Sequence, residues 1–216
     1  MLQYCNMQYN AAVGSSLSTT SYAVLGMLSL SSWTPYELTQ QMRRSLVYCW
    51  PTSERALYSE PERLVAAGLA RVETVEAASR RRRSYSITDT GRDALREWLR
   101  TTPAPVRIVN EPLLRLLFAD QGGREDLLAS LESLRASVTA QHVAGIEQVR
   151  PYLAGEGPFE NRAHLVAMFA DLYGRLFDAF EHWAAEAMEE VESWPTTIDL
   201  GLTDKARSQI EHVVNG

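Results

Sequence analysis

From residue 21 onward, the apolar positions of this 216-residue chain fall into blocks of changing period. SYAVLGMLSL (21–30) is apolar almost all round, which predicts a short buried helix ended by Ser31 and Ser32. Thr34-Pro35 supplies an N-cap and a proline at the first helical position, where the missing N–H is unpaired in any case. A second helix is expected over about Pro35–Leu46, with Tyr36, Leu38 and Met42 inward or half-inward. Thr52 or Ser53 can cap a third, SERALYSEPERLVAAG, which stops at Gly68. In LARVETVEA (69–77) the spacing becomes strand-like, and SYSIT (84–88) alternates with period two. Between them stand Arg80, Arg81, Arg82 and Arg83, which read as the basic turn of a hairpin. Thr88 then leads into a fourth helix, DALREWLR.

This order of helix, helix, helix, strand, strand, helix is that of a winged helix-turn-helix, whose third helix enters the major groove and whose hairpin reaches phosphate or minor groove. TTPAP (101–105) reads as a short stiff linker, and all beyond it is helical. NEPLLRLLFAD (110–120) ends at Gly122-Gly123. Leu127, Leu131, Leu134 and Val138 then follow a 4, 3, 4 spacing. Leu165, Phe169, Leu172, Leu176, Phe180, Trp183, Ala187 and Val191 continue it at 4, 3, 4, 4, 3, 4, 4. Two such stripes need more cover than the chain offers, so they are expected to pack on each other and on a second subunit. A self-contained monomeric bundle is the rival. The fold class expected is mainly α: an N-terminal winged helix-turn-helix with a two-stranded wing, then a C-terminal domain of long antiparallel helices used for dimerisation. The expected organisation is an N-terminal arm or cloning remnant (1–19), a winged-helix domain (20–101), a linker (102–109), a helical domain (110–195) and a C-terminal tail (196–216).

Charge sharpens this division. The net charge is -6, yet residues 1–104 carry twelve Arg against nine acidic residues, and residues 105–216 carry nine basic against eighteen. An anion-seeking module is thus joined to an acidic helical one. Two cysteines exclude a disulfide framework and fit a cytoplasmic setting. The first twenty residues lack a signal-peptide pattern, and residues 163–183 carry too many charges for a bilayer span. The four histidines are scattered: His164 and His182 lie too far apart to share a metal, and no catalytic constellation emerges. No enzyme activity, metal or cofactor is therefore expected.

Taken in order, AVLGMLSL, PYEL (35–38), RSLVYCWP (44–51), ALYSEPERLVAAGLA (56–70), RRRRSYSIT and TGRDALREWL resemble the PadR-like family of bacterial transcriptional regulators. The region from Asn110 to about Trp194 is similar in pattern to the larger helical domain of one branch, with PLLRLLFAD the best local match. The resemblance implies a homodimer on a roughly palindromic double-stranded operator, usually acting as a repressor. It also implies dimerisation through the C-terminal helices and, in some members, response to small aromatic acids or drug-like cations. One departure is Ser59 after Tyr58, with Pro61 later, where many relatives have proline directly after the tyrosine. A proline there is expected to bend or restart the helix.

Individual residues carry the DNA reading. Clustered like charges gain nothing from folding, whereas phosphates supply their counter-charge, so at least two of Arg80–Arg83 are expected on DNA, against a solvated or dimer-facing wing or a localisation signal. Thr52, Ser53, Arg55 and Tyr58 occupy the first turns of the third helix, where hydroxyls meet phosphate and arginine pairs with guanine. Arg55 could instead pair with Glu54, Glu60 or Glu37, and Tyr58 or Tyr36 could be core. Tyr36 is otherwise a phosphate contact. Trp50 and Trp98 are candidates for an effector pocket, against plain packing. Leu165, Phe169, Leu172, Leu176, Phe180 and Trp183 are the dimerisation candidates. The competing view of the whole is a winged-helix protein-interaction module without sequence-specific DNA binding.

Overall fold

The computed structural model describes residues 17–77 and 80–215. The expected arm at 1–19 thus lies outside the described residues up to residue 16. The chain forms two compact units that divide between Pro105 and Val106.

In the first unit, short polar side chains set the helix starts. Ser18 and Ser21 make a reciprocal capping box on α1 (Thr19–Leu30), and Thr34 and Glu37 do the same on α2 (Pro35–Ser45). Ser53 caps α3 (Glu54–Ala66), and Gly68, at φ +72°, turns the chain out of it. The wing is β1 (Ala70–Ala77) paired antiparallel with β2 (Arg80–Ile87), running from Ala70 opposite Ile87 to Ala77 opposite Arg80. Trp33 adds a single bridge to Tyr85. Thr88 caps α4 (Asp89–Arg100) and also donates its hydroxyl to the Gly68 carbonyl at 2.8 Å. Val24, Leu25 and Leu28 of α1 meet Leu38 and Met42 of α2, Leu57 and Leu64 of α3, and Tyr85 and Ile87 of β2 in one core. This is the expected winged helix-turn-helix.

Three local expectations are corrected. Tyr36 is not inward: it is 64% exposed, because the α2 stripe that reaches the core is Leu38, Thr39 and Met42. Pro61 does not restart α3, which runs through it with Pro61 fully buried. A single missing N–H is tolerated where Leu57 and Leu64 on either side anchor the helix in the core. The arginine run is not a turn. Arg80–Arg83 are the first four residues of β2, aligned with Ala77, Glu76, Val75 and Thr74, because ladder pairing extends past the apolar alternation.

The second unit is built on α6 (Arg124–Val149, 26 residues) and α7 (Ala163–Glu192, 30 residues). They run antiparallel, with Arg124 bonded to the Trp194 carbonyl at one end and the His142 ring against Phe177 farther along. A short α5 (Glu111–Leu116), capped by Asn110, covers one end of α6. Leu127, Leu131, Leu134 and Val138 are buried, as the spacing predicts. On α7 the buried seam is Phe177, Ala184 and Val191, while Leu165, Leu172, Leu176 and Trp183 stay exposed. The expected C-terminal tail contains a further helix, α8 (Asp204–Asn215), with no buried residue. Among the described residues, no helix is long and apolar enough to cross a membrane.

Candidate nucleic-acid interface

The exposed face of α3 follows from its periodicity. Leu57, Glu60, Pro61 and Leu64 turn inward, which leaves Arg55, Tyr58, Ser59 and Glu62 at i, i+3, i+4 and i+7 facing water. Glu60 is buried because Ser21 donates to it at 2.5 Å and Arg63 pairs with it at 2.7 Å. Each proposed intramolecular partner of Arg55 is engaged elsewhere. Glu54 pairs with Arg43 at 2.6 Å, Glu60 with Arg63, and Glu37 with the Thr34 cap. Arg55 is exposed and forms no ion pair among the described residues. Ser53 accepts from the Ala56 N–H as the cap, and Thr52 is half-buried with its hydroxyl bonded to the Trp50 carbonyl. Tyr58 is 46% exposed and is therefore not core.

The wing arginines divide. Arg83 pairs with Glu62 of α3 at 2.7 Å and stands 5.7 Å from the centre of the Tyr85 ring. Burial pushes the Tyr85 hydroxyl up from its ordinary value, with Arg83 working against that shift. Arg81 and Arg82 are exposed and form no ion pair among the described residues. Arg82 lies close enough to the start of α2 to help hold the Glu37 carboxyl below its ordinary value, though the Thr34 backbone N–H is the larger cause. The side chain of Arg80 lies outside the described residues.

A further basic pair, Arg43 and Arg44, stands at the end of α2. Two arginines in a last turn read as complements of the helix dipole. The Arg43–Glu54 pair places this turn against the start of α3.

The two effector candidates both lean on the first turn of α1. Trp50 donates its indole N–H to Thr20 at 3.0 Å, and Trp98 stacks on Tyr22 with centroids 4.9 Å apart and planes 8° from parallel. Two open grooves, of about 870 and 640 Å³, lie in the second unit and include neither tryptophan.

Comparison with known proteins agrees with this geometry. Residues 24–97 match the transcriptional regulator PadR-like family. The negative transcriptional regulator PadR of Bacillus subtilis (strain 168) is 26% identical over 107 residues, which are 49% of this chain and 59% of that protein. The chain thus spans less than two thirds of this curated relative. The crystal structure of Bacillus subtilis PadR in complex with operator DNA superposes with a TM-score of 0.66 at 19% identity, over 81% of this chain and 99% of that one. The structure of the same protein in complex with p-coumaric acid gives 0.58 at 16% identity, over 83% and 100%. The structure of smu.1604c from Streptococcus mutans UA159 gives 0.69 at 18% identity, over 78% and 98%. At these identities the structural likeness establishes the fold, a winged helix followed by long helices.

Proposed function

We infer from the PadR-like domain at residues 24–97 that this chain is a cytoplasmic transcriptional regulator, not an enzyme, which binds duplex DNA as a homodimer. The observation that carries this reading is the outward face of α3, where Arg55 lies on the same unit as Arg81 and Arg82, all three exposed and without an ion pair among the described residues. In this reading Arg55 meets a base edge, helped by Tyr58. Thr52, Ser53 and Tyr36 contact phosphate, and Arg80, Arg81 and Arg82 hold the backbone beside it. Arg83 joins them on leaving Glu62.

Two finer proposals rest on relatives. The curated relative is a negative regulator, which favours repression from a pseudo-palindromic operator. Bacillus subtilis PadR has been crystallised with p-coumaric acid, which favours a small aromatic effector near Trp50 and Trp98. The dimer reading rests on α7, where Leu165, Leu172, Leu176 and Trp183 are exposed on a helix already packed along its other face, with Phe169 and Phe180 half-buried between the two. One observation favours the rival interaction module: Glu54 and Glu62 put carboxylates among the exposed residues of α3.

The test is sequence selection from random duplex DNA at two salt concentrations. An enriched two-fold site whose affinity falls with salt supports the regulator. No enrichment at either salt rejects DNA recognition in favour of the interaction module.

A further inference from the structure

Where α6 packs on α7, a buried carboxylate oxygen lacks a hydrogen-bond donor. His142 of α6 is half-buried, its ring tilted against Phe177 with centroids 5.7 Å apart. Asp178 and Glu181, three residues apart on α7, present their carboxylates to the same ring. His142 Nδ1 stands 3.7 Å from Asp178 Oδ1 and 3.7 Å from Glu181 Oε1. Both distances are too long for hydrogen bonds. Glu181 Oε1 is shielded from solvent and accepts no hydrogen bond. An oxygen carrying negative charge, taken out of water without a donor, calls for a cation.

We propose that His142, Asp178 and Glu181 form a binding site for a divalent transition-metal ion of the Zn²⁺ class, which ties α6 to α7. The three donor atoms lie within 4.8 Å of one another. Two donors about 2.1 Å from Zn²⁺ at a tetrahedral angle stand about 3.4 Å apart, so each 3.7 Å gap needs only a small closure. One imidazole nitrogen with two carboxylate oxygens is a mixed set that suits borderline cations, whereas Ca²⁺ and Mg²⁺ favour oxygen alone. The ion would sit against Glu181 Oε1 and neutralise it, and water on the exposed Asp178 side would complete its shell. His182 takes no part, because its Nδ1 is directed at the Asp178 carbonyl, 2.6 Å away. No sequence motif marks this cluster, because its two carboxylates stand on a second helix, 36 and 39 residues after His142.

The test uses the full chain stripped of metal, titrated with Zn²⁺ by calorimetry, with thermal melts in parallel. Wild type is expected to bind one ion per chain and to melt higher with it. His142→Ala and Glu181→Gln are expected to bind at least about tenfold more weakly and to lose the melting shift. Asp178→Asn, on the exposed side of the cluster, serves if either variant does not fold by circular dichroism. No binding by wild type overturns the proposal. So does binding that the folded variants retain, because the ion then sits elsewhere. None of these readouts depends on DNA binding.

Discussion

Arg83 and Glu62 show how one pair can set the strength of an interface. Arg83 is held 2.7 Å from Glu62 across the wing and α3, and both side chains are more than half exposed. Such pairs contribute roughly 0–1 kcal/mol, so a DNA phosphate can displace Glu62. Glu62 therefore acts as an internal competitor, and its charge also opposes the approaching backbone. Glu62→Gln is expected to raise DNA affinity severalfold at low salt and less at high salt, as screening requires. Fluorescence anisotropy on a selected site checks this, and equal or weaker binding would remove Arg83 from the interface. Arg81 and Arg82 form no ion pair among the described residues. Replacing both by alanine should lower the slope of log affinity against log salt by about 2, near 0.9 per phosphate released. Arg55→Ala should instead cost roughly 1–3 kcal/mol on the best site and relax the preference at one base pair. A uniform loss across sequences would make Arg55 a phosphate contact.

The elements that present these residues depend on close approaches which side-chain pattern does not reveal. Gly91, in the first turn of α4, lies so near the residue before β1 and the end of β2 that an added Cβ would fall 2.0 Å from the Leu69 carbonyl oxygen and 2.9 Å from Ile87 Cγ1. The Leu69 oxygen is backbone and cannot swing away, so Gly91→Ala should destabilise the first unit by about 1–3 kcal/mol or more, read as a lower melting temperature. A melting temperature equal to wild type would mean that α4 can shift freely. The α2 cap carries a smaller, pH-dependent contribution. Thr34 holds the Glu37 carboxyl below 4.5, so its stabilisation is present above that value and fades as pH falls through the lower folded value. The stability gap between wild type and Glu37→Gln should accordingly shrink on acidification, measured by denaturant melts from pH 7 to 3. The caps were legible in the sequence because Thr34, Ser53 and Thr88 are local signals, readable without knowing what packs nearby. The extent of β2 was not, because a run of arginines resembles a loop until its backbone partners are known. The α7 seam was hidden for a related reason: the stripe through Leu172 and Leu176 leaves out Phe177 and Ala184, and spacing in one dimension does not say which face meets α6. In the candidate site the residue types were legible, but the pairing that sets Arg83 apart from Arg81 and Arg82 required the fold.

For the whole molecule, the proposed DNA binding faces an electrostatic limit, since the first unit carries a net of about +3 while the other carries about -9 and adds no attraction to phosphate. One small module with a few unpaired arginines binds weakly at physiological salt. Joining two such modules turns the second binding event into an intramolecular one, which raises affinity by roughly 10²–10⁴ without new contacts. The acidic helical unit supplies that link if α7 pairs with a second copy through Leu165, Leu172 and Leu176, which intrachain packing leaves exposed. Charges placed there should separate dimerisation from folding, because the intrachain seam of Phe177, Ala184 and Val191 is untouched. Leu172→Asp with Leu176→Asp is expected to give a folded monomer by sedimentation and circular dichroism. Its affinity for a two-fold site should fall at least about a hundredfold, towards that of a half-site. A double variant that stays dimeric would place the interface elsewhere, with the exposed α8 the next surface to alter. A monomer that keeps full affinity would show that each winged helix binds DNA independently and that the helical unit serves another purpose.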